Sequence, residues 1–477
     1  MKDKFMNGLL TVAGKMQANP VLSAIKDAFI DNMPIVIMGA FCTLFQFVVC
    51  THADGYISLA NIPGMDWLTA LTPIFTCANY GCMNFMAVNI CMLIAIHFAE
   101  NLGHEHDNTV PAVALASFVT LITTTATGTM TVADLVSASD GALKTSLSAT
   151  EAASTTVGVS VSGAVASSYT SANGLFVGML VGLLCTYMYV KLVDSGKLKI
   201  TLPDSVPPNV SQSFAVLFPS ILTILIVSVV GFCFNLTGHD FFSVITWIMS
   251  PLQSIMTGLP GYLVIVFVMM LLWWFGIHGP NVMSAVTTPF LTTAYAANNA
   301  LYGAGVTPAV GASGVVNGVK YTYSIICNPF GSTFFSSTGS GITGGLIIAI
   351  MLFSKRDDYK AIAKLAIPCG IFNINEPIIF GIPMVMNPLL GIPFFLAPIV
   401  CVALGYLATY IGLCPIMVVD APWTTPVGIL GWLASGGHIM GGICQIVIIL
   451  GASTLVYSPF VIAANRQVPA NAETAEA

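Results

Sequence analysis

Ten stretches of about twenty predominantly apolar residues recur along this chain, and they decide what it folds into. A hydrocarbon core roughly 30 Å thick is crossed by a helix of about twenty apolar residues. The candidate spans are 33–50, 74–98, 109–127, 172–191, 212–235, 259–276, 311–328, 338–354, 390–411 and 437–461. Span 311–328 is the weakest, because it carries Lys320 and Asn328. Charge content supports the reading: 7% of the 477 residues are charged, against about 25% in soluble domains. So few charges cannot cover a water-exposed surface, so lipid must cover most of it. The expected fold is an all-α polytopic membrane protein. At the N-terminus, Lys2, Lys4 and Lys15 surround Phe5, Met6, Leu9, Leu10 and Val12, the pattern of an amphipathic helix lying on the membrane surface. Residues 466–477 are expected to be a disordered tail.

Basic residues orient the spans. Of 14 Lys and Arg, 12 fall in four places: Lys2, Lys4, Lys15 and Lys26; Lys191, Lys197 and Lys199; Lys355, Arg356, Lys360 and Lys364; and Arg466. An even number of expected spans separates each place from the next. The positive-inside rule then puts all four, and both termini, in the cytoplasm, with Lys144 and Lys320 as exceptions.

Three stretches do not read as simple spans. Residues 128–171, rich in Ser, Thr, Ala and Gly, are expected to form an extracellular excursion with strand-like pieces. Residues 278–310 and 362–389 are apolar but broken by Pro, Gly and Asn, and are read as re-entrant hairpins or discontinuous helices. Non-helical backbone at membrane depth is tolerated only where protein or a wet cavity covers it, and in transporters such elements commonly form the substrate site. The expected division is therefore a scaffold over 1–240, a working part over 241–465, and the tail.

Three motifs carry the polar groups of the working part. Phe372-Asn373-Ile374-Asn375-Glu376-Pro377 places one carboxylate among apolar residues, at a cost of about 2.5–3.5 kcal/mol on insertion scales. Such a group needs a partner or a function; the bland reading is a helix cap at the interface. Trp273-Trp274-Phe275-Gly276-Ile277-His278-Gly279-Pro280-Asn281 puts a histidine between glycines where the chain turns back. A lone histidine is more often structural, but the parallel with Glu376, a polar residue at a broken turn, favours function. Val419-Asp420-Ala421-Pro422-Trp423 adds a second acid and an indole face suited to packing on a sugar ring, or to anchoring at the membrane interface.

Imidazole, carboxylate, amides and indole together suit a neutral polyol, and no basic residue in these motifs favours an anionic substrate. The twelve cysteines stand singly, without a C-x-x-C pair, and read as apolar packing residues. His104-Glu105-His106-Asp107 reads as a solvated loop, and Lys355-Arg356-Asp357-Asp358 as a solvated turn. The glycines at 303–305 and 339–345 lack the Lys-Ser/Thr of a phosphate loop. No metal, cofactor or nucleic-acid partner is expected.

The stretches WFGIHGPN and IPCGIFNINEPIIFGIPMVMNPLLGIPF resemble enzyme IIC of the lactose/cellobiose (diacetylchitobiose) family of the phosphoenolpyruvate:sugar phosphotransferase system, and the resemblance runs along nearly the whole chain. It implies ten transmembrane helices, two re-entrant hairpins, a homodimer formed by the N-terminal half and a sugar held by the C-terminal half. It carries sugar contacts onto His278, Asn375 and Glu376, with Trp423 as the late-loop aromatic, and more loosely onto Gly279, Asn281 and Asp420. Cys369 stands where many relatives have proline. With about 16 residues after the last span, the phosphocysteine-bearing IIB component is expected to be a separate chain, working with IIA. The function implied is inward passage of a β-linked disaccharide, cellobiose- or diacetylchitobiose-like, and phosphorylation of its 6-hydroxyl by phospho-IIB, with Glu376 and His278 as catalytic groups and no phosphorylated residue in this chain. The rival is a cation-coupled secondary sugar transporter, with Glu376 and Asp420 carrying protons. A membrane hydrolase or transferase would need a nucleophile–base or metal set that the sequence does not offer.

Overall fold

The computed structural model describes residues 11, 14–15, 18–51, 58–105, 107–132, 136, 156–203, 205–382, 384 and 387–466. The expected N-terminal amphipathic helix, Lys144, His106 and the tail beyond residue 466 lie largely or wholly outside them.

The first long helix, α1 (Pro20–Phe45), starts where Asn19 Oδ1 accepts from Val21 N at 2.9 Å and Leu22 N at 3.1 Å, with Pro20 just inside the start. It continues through a π-helical turn, Gln46–Cys50. Then come α2 (Thr72–Met83), α3 (Met86–Asn101) and α4 (Thr109–Thr120). An antiparallel ladder pairs β1 (Thr125–Thr131) with β2 (Thr156–Ser162). Helices α5 (Leu175–Asp194), α6 (Pro208–Ala215), α7 (Leu217–Leu236), α8 (Phe241–Thr257) and α9 (Leu259–Trp274) follow. The later part holds α10 (Gly279–Gly303), a second hairpin of β3 (Ser313–Val316) and β4 (Val319–Thr322), then α11 (Asn328–Phe334), α12 (Thr343–Phe353) and α13 (Asp357–Ile371). Last come α14 (Glu376–Gly381), α15 (Pro388–Tyr410), α16 (Ile429–Ala434), α17 (Ile439–Gln445), which runs on through a π-helical stretch, and α18 (Ser453–Ala464).

Among the described residues, five helical segments are long and apolar enough to cross a membrane: 20–50, 172–194, 217–236, 389–410 and 439–464. Two bent pairs make up to seven, 66–83 with 86–101 at 42° and α8 with α9 at 70°. The expected third and eighth spans are represented by α4 and α12, of 12 and 11 residues, too short to cross alone.

Two expectations are corrected. Residues 311–328 are not a span: Val316-Asn317-Gly318-Val319 makes a tight hairpin turn with φ +51° at Asn317 and +80° at Gly318, and Lys320 lies exposed on β4. Asn-Gly is the sequence such a turn selects, because both central residues need positive φ. Nor is 278–310 a broken hairpin, because α10 runs unbroken through Pro289 to Gly303. The fold is thus mostly helical with two small antiparallel ladders, rather than all-α. The strand-like reading of VGVSVS is met by β2. The break in 362–389 is real: α13 ends at Ile371 and α14 starts at Glu376.

Two apolar clusters organise the packing. The smaller is built by α3, α4 and α5 with Phe242 of α8. The larger runs from Ile25 of α1 to Ala464 of α18 and surrounds the segments that carry the polar motifs. One face of α7 stays uncovered, with Leu225, Val229, Phe232 and Leu236 between 55% and 70% exposed. That much apolar surface marks contact with lipid or another protein. All twelve cysteines are free, mostly buried among apolar side chains. Arg356 is less solvated than expected: it forks onto Asp358 at 2.6 and 3.1 Å and lies over the Tyr359 ring at 4.0 Å, and the guanidinium holds the Asp358 carboxyl below its usual range. His104 pairs with Asp194 at 2.8 Å, while Asp107 accepts from Thr109 N and Tyr189, so these groups are used in joining helices.

Candidate functional site

Two glycines let the chain reverse at the end of α9. Gly276 sits at φ +82°, which side-chain-bearing residues rarely adopt. At Gly279 an added Cβ would lie 1.9 Å from the Met269 carbonyl oxygen, so only glycine lets α10 start this close to α9. Between them, His278 is the cap residue of α10, its Nδ1 accepting from Asn281 N at 3.3 Å. A neutral ring with Nδ1 as acceptor carries its proton on Nε2. The ring packs on Trp273 at 4.9 Å between centroids, and Trp273 packs on Phe380 of α14 at 6.4 Å. Trp274 Nε1 donates to Asn387 O at 3.3 Å, tying α9 to the start of α15.

The Asn-Ile-Asn-Glu-Pro turn is fastened on two sides. Asn373 stands at φ +66°, a conformation asparagine tolerates better than most residues. Its Oδ1 accepts from Thr338 N at 2.6 Å, and its Nδ2 donates to Trp423 O at 2.5 Å and Thr425 O at 2.8 Å. Asn375 Nδ2 donates to Ser340 O at 2.6 Å, over a glycine, Gly339, where a Cβ would meet Asn375 Cγ at 2.2 Å. The loop it grips is twisted: Thr338, Gly339, Gly341 and Ile342 have φ of +60°, +83°, +82° and +52°. For the β-branched Thr338 and Ile342 this costs about 1–3 kcal/mol each, and such residues persist only where their surroundings over-determine them. Here Thr343 Oγ1 donates to Thr338 O at 2.9 Å, Gly344 N to Thr338 Oγ1 at 3.0 Å, and Tyr457 to Gly341 O at 2.7 Å. Glu376 follows as the exposed first residue of α14.

Asp420 is set apart. It is 6% exposed, and its Oδ2 accepts from Asn328 Nδ2 at 2.7 Å. Asn328 is its link to a cavity of about 280 Å³, whose lining includes Asn281, Ser284, Ser332 and Lys26. The loop before Asp420 is held by Asn298 and Asn299 of α10, which donate to Met417 O and Val418 O at 3.0 and 3.1 Å. The Trp423 side chain is 52% exposed.

The structure therefore knits Asn375 and the Trp423 backbone into one turn through Asn373 and Ser340, with Glu376 exposed beside it. Asn281 and Asn328 line the neighbouring cavity, with Asp420 behind Asn328. Gly279 has a packing reason of its own. Sequence reasoning did not assign Asn373 or Asn328. Asn373 lies inside the quoted motif, and Asn328 precedes a proline at the start of α11, yet neither position reveals partners 35 to 92 residues away.

Apolar helices long enough to span a bilayer, joined by fastened polar turns with one imidazole and one exposed carboxylate, are the elements of a membrane transport protein. The chain belongs to the EIIC family of the phosphotransferase system: the family model "Phosphotransferase system, EIIC" matches residues 26–398. It is 30% identical to the oligo-beta-mannoside-specific EIIC component of Bacillus subtilis (strain 168), over 98% of this chain and 94% of that one. It is 29% identical to the cellobiose-specific EIIC component of Lactococcus lactis subsp. lactis (strain IL1403), over 96% of each. The crystal structure of the transporter ChbC, the IIC component from the N,N'-diacetylchitobiose-specific phosphotransferase system, matches with a TM-score of 0.80 at 26% identity, over 97% of this chain and 98% of that one.

Proposed function

We propose that this EIIC component carries a β-linked disaccharide of the cellobiose or diacetylchitobiose type inward, for phosphorylation at its 6-hydroxyl by a separate phospho-IIB protein. The observation that carries this reading is the Asn-Ile-Asn-Glu-Pro turn, which Asn373 and Asn375 fasten to residues 338–340 and 423–425 so that Glu376 stands exposed at the start of α14. The names of the relatives, specific for oligo-β-mannoside and cellobiose, point to the same sugar class. His278 Nε2 and the Asn281 amide supply hydrogen bonds to hydroxyls, and the exposed indole of Trp423 offers a stacking face. In the transfer step the 6-hydroxyl oxygen attacks phosphorus of the IIB phosphocysteine, the S–P bond breaks, and the thiolate leaves. Glu376 accepts the hydroxyl proton, and His278 holds the oxygen in line.

A cytoplasmic location for both termini is part of the proposal, with α10 crossing in place of residues 311–328 so that the number of crossings between Lys199 and Lys355 stays even. So is a homodimer through the N-terminal half, for which the uncovered face of α7 supplies apolar area. Residues 1–240 would be the scaffold and 241–465 the moving, sugar-holding part. Membership of the EIIC family argues against the cation-coupled alternative.

The test is phosphorylation of labelled β-disaccharides by membranes containing the chain, with phosphoenolpyruvate, the general phosphotransferase proteins and a cognate IIA/IIB pair. Glu376→Gln should lose phosphorylation by about a hundredfold or more, the usual worth of a general base, while keeping measurable sugar binding. Full phosphorylation by that variant would remove Glu376 from the chemistry. Uptake that needs a proton gradient and no IIB would overturn the reading as a whole.

A further inference from the structure

A second cavity, of about 260 Å³, lies at the far end of α10 from His278. Helices α1 and α10 run parallel. Their N-terminal ends, with Lys26 and Asn281, border the cavity beside the site already described, and their C-terminal ends, with Gln46 and Asn299, border this one. The 21 residues from His278 to Asn299 span about 30 Å of helix, so one disaccharide cannot touch both places.

The lining of this second cavity has a distinct chemistry. Gln46, Asn79, Asn84 and Asn317 contribute amides, Tyr80 and Tyr321 contribute phenols, and no charged side chain is among the lining residues. Part of the wall is locked: Asn79 Nδ2 donates to Gly39 O at 2.8 Å and Thr43 Oγ1 at 2.7 Å, and reaches Asn299 Oδ1 at 3.3 Å. Asn299 in turn donates to Val418 O at 3.1 Å, two residues before Asp420. Other groups are left over. The Asn84 and Asn317 side-chain amides make no hydrogen bond to another described residue, and Tyr80 is 47% exposed. Neutral donors and acceptors around an aromatic face, without a cation or an acid, match a sugar rather than an anion, a metal or an apolar ligand. The volume falls just under the roughly 300 Å³ at which small-molecule pockets begin, so it takes part of a disaccharide and leaves the remainder projecting.

We infer that this amide-lined cleft is an outer subsite that binds one end of the neutral saccharide before it reaches the His278–Glu376 site. The inference rests on the proposed function for its sugar class and its sidedness. The Asn79–Thr43–Asn299 cluster closes the cleft toward the interior and connects it to the 417–420 loop, so sugar in the cleft bears on the position of Asp420 and Asn328.

Equilibrium dialysis of labelled cellobiose against the detergent-purified full chain tests it. The wild-type protein should bind two equivalents with two affinities. Gln46→Leu/Asn84→Leu should remove the weaker class and raise KM for uptake about tenfold with Vmax unchanged, the loss expected from one or two neutral hydrogen bonds. Tyr80→Ala, which changes one exposed ring, should weaken the same class about tenfold and serves if the double variant does not fold. His278→Ala should remove the other class and leave the weaker one. A single class in wild type that His278→Ala abolishes overturns the subsite and leaves the proposed function standing, as do variants with unchanged isotherm and KM. Two classes for some other neutral sugar, with none for β-disaccharides, would keep the subsite and overturn the substrate assignment.

Discussion

Asn373 shows how much one side chain holds at this site. It satisfies a backbone N–H at Thr338 and two carbonyls at Trp423 and Thr425, from a backbone conformation few residues accept. Asn373→Leu strands those groups and strains the backbone. The expected loss is about 3 kcal/mol or more, since each buried unsatisfied group costs about 1–3 kcal/mol. Thermal unfolding in detergent should show it together with weakened sugar binding, and an unchanged melting curve would contradict the clamp. Gly279 gives a sharper contrast. Gly279→Ala drives a methyl into the Met269 backbone and should cost about 1–3 kcal/mol, as overpacking does. Gly81→Ala, in α2 with nothing within 4 Å, should instead stabilise by about 0.5–1 kcal/mol. At this scale the turns that carry His278, Asn375 and Glu376 were legible because polar groups in apolar surroundings are costly and therefore visible. Asn373 and Asn328 were not assigned, because what they do depends on carbonyls and a carboxylate brought close only by the fold.

At the scale of elements, hydropathy found the long helices and misread two segments for different reasons. Residues 311–328 are apolar enough to pass for a span, but Asn317-Gly318 forces a hairpin, and that dipeptide was the signal to read. Asn317→Ala puts a residue poorly suited to φ +51° into the turn. It should destabilise β3–β4 by about 1 kcal/mol and raise amide-exchange rates in residues 313–322, without changing exchange in α15. In 278–310 the Pro, Gly and Asn content suggested a break. The proline is accommodated inside an unbroken helix that neighbouring helices surround. Its Asn298 and Asn299 face carbonyls of the 417–418 loop rather than marking a turn. The 362–389 break was legible because Asn-Glu-Pro there does end one helix and begin another.

For the whole molecule, the charge pattern and the fold make a joint prediction. With α10 as a crossing, Lys199 and Lys355 share a side and the β3–β4 hairpin takes the other. A reporter active only in the cytoplasm should work when fused after Lys199 or Arg356 and fail after Ala309. Activity at all three positions would refute the arrangement. Composition announced the membrane at once, because a surface with so few charges has no other solvent. The short elements α4 and α12 were not marked off by hydropathy, whereas the 70° bend between α8 and α9 falls at Gly258-Leu259-Pro260, a breaker the sequence shows.

Helix α10 begins beside the cavity that Asn281 lines and ends at the asparagine wall of the other, without a break between. A stiff beam has no independent ends. A tilt that opens one mouth displaces the other, so the helix axis itself couples the two cavities, alongside the Asn79–Thr43–Asn299 contacts. Such a lever needs only a fulcrum, and the α1–α10 seam, joined at Thr43 and Asn299, supplies one.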